Sequence, residues 1–75
     1  MREKQIEQKL VRAVRKIDGM CLKFVSPNFD GMPDRLILLP SGKIAFAELK
    51  APGKKPRPLQ LARHKTLMGL GFRVY

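Results

Sequence analysis

Residues 31–50, GMPDRLILLPSGKIAFAELK, decide the fold of this chain. Two apolar runs of strand length, residues 35–39 and 44–50, are separated by the turn sequence PSGK. This pattern predicts a β-hairpin. The hairpin would return Asp34, at the start of the first strand, to the same end of the sheet as Glu48, near the end of the second.

The second predicted strand ends on a charged pair, Glu48 and Lys50, which are two residues apart and therefore point to one face. Together with Asp34 they would form a site able to hold a divalent metal ion and to activate a water beside it. Polar residues at the end of an otherwise apolar strand often mark functional sites. The alternative is a strand end in solvent, with an ordinary surface pair that contributes little stability.

Length and charge restrict the class of protein. Seventy-five residues predict one domain, 1–75, and a core so small that homodimerisation would add useful stability. Sixteen Lys and Arg against six Asp and Glu, a net charge of +10, predict a polyanionic partner, most often nucleic acid. The alternative is a merely basic protein. No apolar run approaches the length of a membrane span and the N-terminus is charged, so we expect a cytoplasmic protein with no membrane partner.

The single cysteine, Cys21, rules out an intramolecular disulfide. Its apolar neighbours, Met20 and Leu22, favour a small buried hydrophobic residue over a reactive thiol.

Residues 3–18 have the periodicity of an amphipathic helix, and Gly19 is expected to end it in the left-handed conformation. The apolar stripe consists of Ile6, Leu10, Val11, Val14 and Ile17. Glu7 falls inside this stripe, where a carboxylate needs a partner. Glu7 either forms an ion pair with an Arg or Lys, or faces the metal site and joins it directly or through water.

The remaining segments complete an α/β pattern. We expect a strand at residues 20–25, a loop at 26–31, a helix at 59–68 beginning near Pro58, and a final strand at 72–75. The order helix-strand-strand-strand-helix-strand predicts a small mixed β-sheet flanked by two helices. The loop is either a plain connector or a substrate contact through Ser26 or Asn28.

Positive charge and polar side chains follow the hairpin. Residues 51–58 form a proline-rich basic loop suited to phosphate contact, unless its charges are simply solvated. In the second helix Gln60 and His64 share an arc with Leu67, so Gln60 would orient a water or a carboxylate, or satisfy a backbone group. His64 is more often a satisfied polar residue than a catalyst. The candidate nucleic-acid contacts are Arg35, Lys54, Lys55, Arg57, Arg63 and His64.

The pattern Pro33-Asp34, thirteen residues, then Glu48-Leu49-Lys50 resembles the active site of PD-(D/E)XK nucleases. With the motif GMPDR at residues 31–35 and the downstream Gln60, the chain looks like a VRR-NUC domain of the small stand-alone phage or bacterial type. The resemblance covers essentially the whole chain. It implies a restriction-endonuclease-like core.

The same resemblance implies the roles of the site residues. Asp34 and Glu48 would bind Mg²⁺ or Mn²⁺ with the Leu49 backbone carbonyl as a third ligand. Lys50 would act on the attacking water. Glu7 and Gln60 would be accessory active-site residues.

The function implied is that of a metal-dependent DNA endonuclease, homodimeric and selective for branched DNA such as four-way (Holliday) junctions. The alternative is a non-catalytic nucleic-acid-binding module that retains the fold. An enzyme acting on RNA or mononucleotides is a third interpretation that the residues leave open.

Overall fold

The computed structural model describes residues 3–49 and 53–75. Its elements are α1 (Glu3–Lys16), β1 (Met20–Lys23), β2 (Arg35–Leu39), β3 (Lys43–Ala47), α2 (Pro58–Gly69) and β4 (Arg73–Val74), with a short 3₁₀ turn at Pro40–Gly42. This order confirms the predicted α/β architecture. In the part of the chain that the structure describes, no helix has both the length and the apolar character needed to cross a bilayer.

The sheet has the strand order β1-β2-β3-β4. β2 is antiparallel to both β1 and β3, whereas β4 runs parallel to β3, so the sheet is mixed as predicted. Arg35 pairs with Ala47, so Asp34 and Glu48, one residue beyond each strand, lie at the same end of the hairpin.

One face of the sheet carries the apolar core beneath α1. Val14 of α1 packs with Ile37, Ala45 and Ala47, and all four side chains are buried. The three sheet residues share a face because Ile37 pairs with Ala45 and side chains alternate along a strand. The apolar stripe of the first helix therefore packs as its periodicity predicted.

The opposite face holds an aromatic cluster. Phe46 contacts Phe24 and Phe72 edge to face, with ring centroids 5.9 and 5.6 Å apart. Glu48, two residues after Phe46, reaches Gln60 and His64 of α2, which places the first turns of α2 on this side of the sheet. Because α2 contacts β4 more than β1, the β1 end of this face stays uncovered.

Helix α1 ends differently from the expectation. Asp18, not Gly19, is left-handed, with φ of 64°. The amides of Asp18 and Gly19 donate to the carbonyls of Arg15 and Val14, both at 3.0 Å, which is the pattern of a Schellman cap. Gly19 is needed for space, because a Cβ there would lie 2.7 Å from the Leu38 carbonyl oxygen.

The third strand is shorter than predicted. It ends at Ala47 instead of residue 50, and Glu48 and Leu49 lie beyond it. The Glu48 amide still donates a hydrogen bond, at 3.0 Å, to the carbonyl of Tyr75 at the end of β4. The backbone next to the predicted site is therefore anchored by the last strand of the sheet.

Candidate active site

Asp34 and Glu48 are joined through the backbone at the end of the hairpin. Oδ1 of Asp34 accepts a hydrogen bond from the Leu49 amide at 3.3 Å. The Asp34 carboxylate therefore holds the backbone at Leu49, the residue immediately after Glu48. The convergence of Asp34 and Glu48 that the hairpin pattern predicted is present in the structure.

The segment before Asp34 packs closely against α2. Gly31 has φ of 89°, and a Cβ there would lie 2.8 Å from Cγ of Leu59, so only glycine fits. Pro33 is fully buried. These two residues of the GMPDR motif therefore position Asp34 by close packing.

Glu48 is a buried carboxylate held by α2. Its side chain is only 7% exposed, and its Oε1 accepts a hydrogen bond from Nε2 of Gln60 at 3.1 Å. Gln60 is also buried, and its Oε1 accepts from the Arg57 amide at 2.8 Å. Because the amide oxygen is occupied by an N–H donor, the amide nitrogen is the end that faces Glu48.

Gln60 therefore fills both roles considered for it. It orients the Glu48 carboxylate, and it satisfies a backbone N–H at the first turn of α2. One side chain therefore contributes both to the start of α2 and to the orientation of Glu48.

His64, one turn after Gln60, approaches the same carboxylate oxygen. Its Nε2 lies 4.0 Å from Oε1 of Glu48, beyond hydrogen-bonding distance. This nitrogen is buried and has no hydrogen-bond partner among the described residues. A buried polar atom without a partner is rare in proteins and costs about 1–3 kcal/mol.

Of the two arrangements expected for Glu7, an ion pair or a place at the metal site, the structure shows the ion pair. Its carboxylate pairs with the guanidinium of Arg35, whose side chain is almost fully buried. This corrects the prediction that Arg35 contacts nucleic acid, because β2 turns Arg35 inward toward α1. A metal-binding role for Glu7 remains a prediction.

The other predicted nucleic-acid contacts divide into two groups. Lys54, Lys55 and Arg57 are exposed in the segment leading into α2, which fits both phosphate contact and simple solvation, so their role stays a prediction. Arg63 instead lies over the Phe29 ring and donates from Nε to the Asp30 carbonyl at 2.9 Å. The sequence pattern did not reveal this contact, since 34 residues separate the two side chains. Lys50 lies outside the described residues.

Comparison with known proteins agrees with this geometry. No family model matches the chain. A solved structure described as a VRR_NUC domain is similar, with a TM-score of 0.88 and 30% identity over 96% of this chain and 78% of that one. A curated relative, "Putative nuclease p44" of Acyrthosiphon pisum secondary endosymbiont phage 1, is 57% identical over 74 residues, which is 99% of this chain and 80% of the relative.

The chain belongs to the VRR-NUC family of nucleases. Membership confirms the resemblance drawn from the motifs at Asp34 and Glu48 and the restriction-endonuclease-like fold. A nuclease acts on nucleic acid, which agrees with the polyanionic partner predicted from the net charge of +10.

VRR-NUC nucleases and their relatives generally use divalent metals. The donors that the VRR-NUC resemblance implies are the carboxylates of Asp34 and Glu48 and the carbonyl of Leu49, all hard oxygen ligands. The described residues contain no group of three or more His, Cys, Asp or Glu that would enclose a metal. This set fits an ion that keeps several waters, as Mg²⁺ does when only one or two carboxylates bind it.

The thiol of Cys21 provides a probe of the VRR-NUC core. Burial raises the pKa of Cys21, Arg35 opposes the rise, and the carboxylates of Glu7 and Asp34 add to it. A higher pKa leaves less thiolate at any pH below it, and thiolate is the reactive form. We expect iodoacetamide to alkylate Cys21 severalfold more slowly at pH 8 in the folded protein than in urea, with the midpoint of the rate–pH curve shifted upward. Equal rates and midpoints in the two states would contradict this.

Proposed function

We propose that this VRR-NUC nuclease is an endonuclease that hydrolyses phosphodiester bonds of DNA with Mg²⁺ or Mn²⁺. The observation that carries the proposal is the convergence of two carboxylates at one end of the hairpin: Asp34 accepts the Leu49 amide while Gln60 holds the buried Glu48. Both lie on a chain of net charge +10.

The charge distribution supports a metal ion at this site. Carboxylates on a phosphate-binding surface repel the substrate unless a cation lies between them. A divalent ion bound by Asp34 and Glu48 would supply that cation beside a carboxylate whose side chain is only 7% exposed.

The proposed reaction is simple hydrolysis. The oxygen of a water forms a new bond to phosphorus, the phosphorus–oxygen ester bond breaks, and the leaving oxygen ends with a proton. When bound, the divalent ion supplies positive charge to the phosphate oxygens and lowers the pKa of a water. Gln60 keeps Glu48 in one orientation. We assign to Lys50 the stabilisation of developing negative charge and a part in generating hydroxide, and to Glu7 an accessory role.

The decisive test uses a labelled four-way junction, a duplex and a single strand, each with Mg²⁺, Mn²⁺ or EDTA. We expect the metal ions to support cutting at internal positions and EDTA to abolish it. Cleavage of the junction at lower protein concentration than the duplex would support selectivity for branched DNA. Absence of cleavage on all three substrates, or cutting that persists in EDTA, would refute the proposal.

We further propose that the nuclease acts as a homodimer, which would place two active sites on one branched substrate. The support is an uncovered apolar surface on the face opposite α1, at the β1 side of the sheet. Met20, Leu22 and Ile44 are 56, 38 and 43% exposed. They share this face because Met20 and Ile44 both pair with Leu38.

A second copy is the occupant we assign to this surface, because so short a chain buries little apolar area by itself. Covering edge strand β1 would also protect its unpaired backbone groups from other partners. A dimer joined through β1 and the adjoining face would keep Asp34 and Glu48 outside the interface, since they lie at the end of the hairpin formed by β2 and β3.

A charged substitution in this surface is expected to separate the subunits. Light scattering during gel filtration should give wild type a mass of twice 8.5 kDa and Met20→Glu a mass near 8.5 kDa. Burying an unpaired carboxylate costs several kcal/mol, enough to dissociate a micromolar dimer. Leu70→Glu, at an exposed position after α2, is the matched control and should remain dimeric. A monomeric wild type would contradict the dimer, and a dimeric Met20→Glu would contradict this interface.

A further inference from the structure

We propose that Phe29 and Arg63 form a binding site for an unpaired nucleobase beside the active site. We call this pair the Phe29–Arg63 stack. The proposal rests on the proposed function, since it assigns a DNA contact to the same site. Neither the fold nor the metal chemistry explains why these two residues are present.

The stack joins an exposed aromatic ring to a planar cation. The guanidinium carbon of Arg63 lies 3.8 Å from the centroid of the Phe29 ring. Phe29 remains 47% exposed in this arrangement. With the guanidinium on one face and almost half of the residue in solvent, flat surface is available for another planar group.

Several contacts hold the stack in place before any substrate arrives. Nε of Arg63 donates to the Asp30 carbonyl at 2.9 Å, and the Phe29 amide donates to the Ser26 carbonyl at 3.3 Å. Gly31 packs so closely on Leu59 and Arg63 that a Cβ would lie within 3.0 Å of each. The Phe29 ring therefore lies on a turn that packs against α2. Because the ring is already held in place, less conformational entropy is lost on binding.

The chain places the stack next to the metal-binding carboxylates. Arg63 immediately precedes His64, whose ring nitrogen lies 4.0 Å from Glu48. Phe29 is five residues before Asp34 in a segment that packs on α2. A nucleotide whose phosphate lies at Asp34 and Glu48 would therefore have the stack among its nearest protein surfaces.

The chemistry of the Phe29–Arg63 stack indicates which kind of ligand it would bind. Aromatic rings and guanidinium planes are the groups on which proteins stack single bases, and the contact tolerates any base because every base has a π-face. In a continuous duplex both faces of each base are already stacked on neighbours. Only a base at an end, a gap or a branch point offers a free face, so the stack favours DNA with an unpaired base near the scissile phosphate.

The test compares two forked duplexes that are identical except at the branch, where one carries an unpaired thymine and the other an abasic residue. Fluorescence anisotropy in Ca²⁺, used to limit cleavage, gives the two dissociation constants. Stacking of one base on an aromatic side chain changes affinity by about 5- to 100-fold. We expect wild type to prefer the thymine fork by a factor in that range.

The variants separate stacking from packing. Phe29→Trp should keep the preference, whereas Phe29→Leu, which retains an apolar side chain, should reduce it to about onefold. Leu70→Ala, exposed at the end of α2, is the control and should behave as wild type. Thermal melting of each variant establishes that it is folded. If Phe29→Leu unfolds, the thymine preference of Phe29→Trp is compared with that of wild type instead.

The outcomes distinguish this inference from the proposed nuclease activity. If wild type cuts DNA with Mg²⁺ but binds both forks equally, or if Phe29→Leu keeps the preference, the base site is refuted and the nuclease proposal stands. If wild type cuts nothing yet loses its thymine preference on Phe29→Leu substitution, the base site stands and the nuclease proposal fails.

Discussion

Asp34→Asn is expected to abolish DNA cleavage while leaving the protein folded. Asparagine retains the Oδ1 that accepts the Leu49 amide, so the local backbone should hold. It removes the negative charge to which we assign binding of the divalent ion, and losing a ligand that stabilises transition-state charge costs several kcal/mol, about a thousandfold in rate. Single-turnover cleavage of the labelled junction at saturating Mg²⁺, with a thermal melt of the same sample, measures both effects.

The control for this substitution is Asp18→Asn. Asp18 is exposed and left-handed, a conformation that asparagine adopts readily, so this variant changes the same charge with no effect on cleavage. Metal-free DNA binding adds a second measurement. Asp34→Asn should bind DNA more tightly than wild type because a repulsive charge is gone. Full cleavage by folded Asp34→Asn would refute the assigned role of Asp34, and metal-independent binding without cleavage by wild type would favour the non-catalytic binding module.

Gln60→Ala is expected to lower cleavage by about 10- to 100-fold, the usual effect of removing a partner of a metal ligand. The substitution frees the Glu48 carboxylate from its 3.1 Å hydrogen bond and removes the acceptor of the Arg57 amide. Loss of this helix-start contact should also lower the free energy of unfolding by about 1 kcal/mol. Rates at saturating Mg²⁺ and urea denaturation measure these two effects.

Gln60→Glu separates the two roles of this side chain. A carboxylate still accepts the Arg57 amide, so the start of α2 should be supported, but it places a second negative charge against Glu48 in place of a donor. We expect slower cleavage than wild type and a higher Mg²⁺ requirement. Gln8→Ala, an exposed substitution on α1, is the matched control. Wild-type rates for Gln60→Ala would show that Glu48 does not depend on Gln60.

Much of the architecture was predictable because it depends on short-range patterns. Two apolar runs around PSGK specify the hairpin, and the periodicity of residues 3–18 specifies a helix with one apolar face. The convergence of Asp34 and Glu48 followed directly, since both lie at the open end of the hairpin. Residue spacing also placed Gln60 on the inner side of α2.

The predictions that were wrong concern residues whose burial or backbone conformation depends on neighbours distant in sequence. Arg35 was expected to contact nucleic acid, but it is buried against Glu7, a residue 28 positions earlier. Gly19 was expected to be left-handed, but the positive φ is at Asp18, and Gly19 is required by the nearby Leu38 carbonyl. Neither the ion pair nor the close approach leaves a periodic signal in the sequence.

The sequence by itself determined the order of elements, the excess of positive charge and the motif residues Asp34 and Glu48, because local propensity and spacing specify all three. Tertiary structure alone decided which polar side chains meet: Glu48 with Gln60, Glu7 with Arg35, and Arg63 with Phe29. The physical reason is that a contact between distant segments is selected by packing and by the need to pair buried polar groups. Those requirements exist only once the helices lie on the sheet.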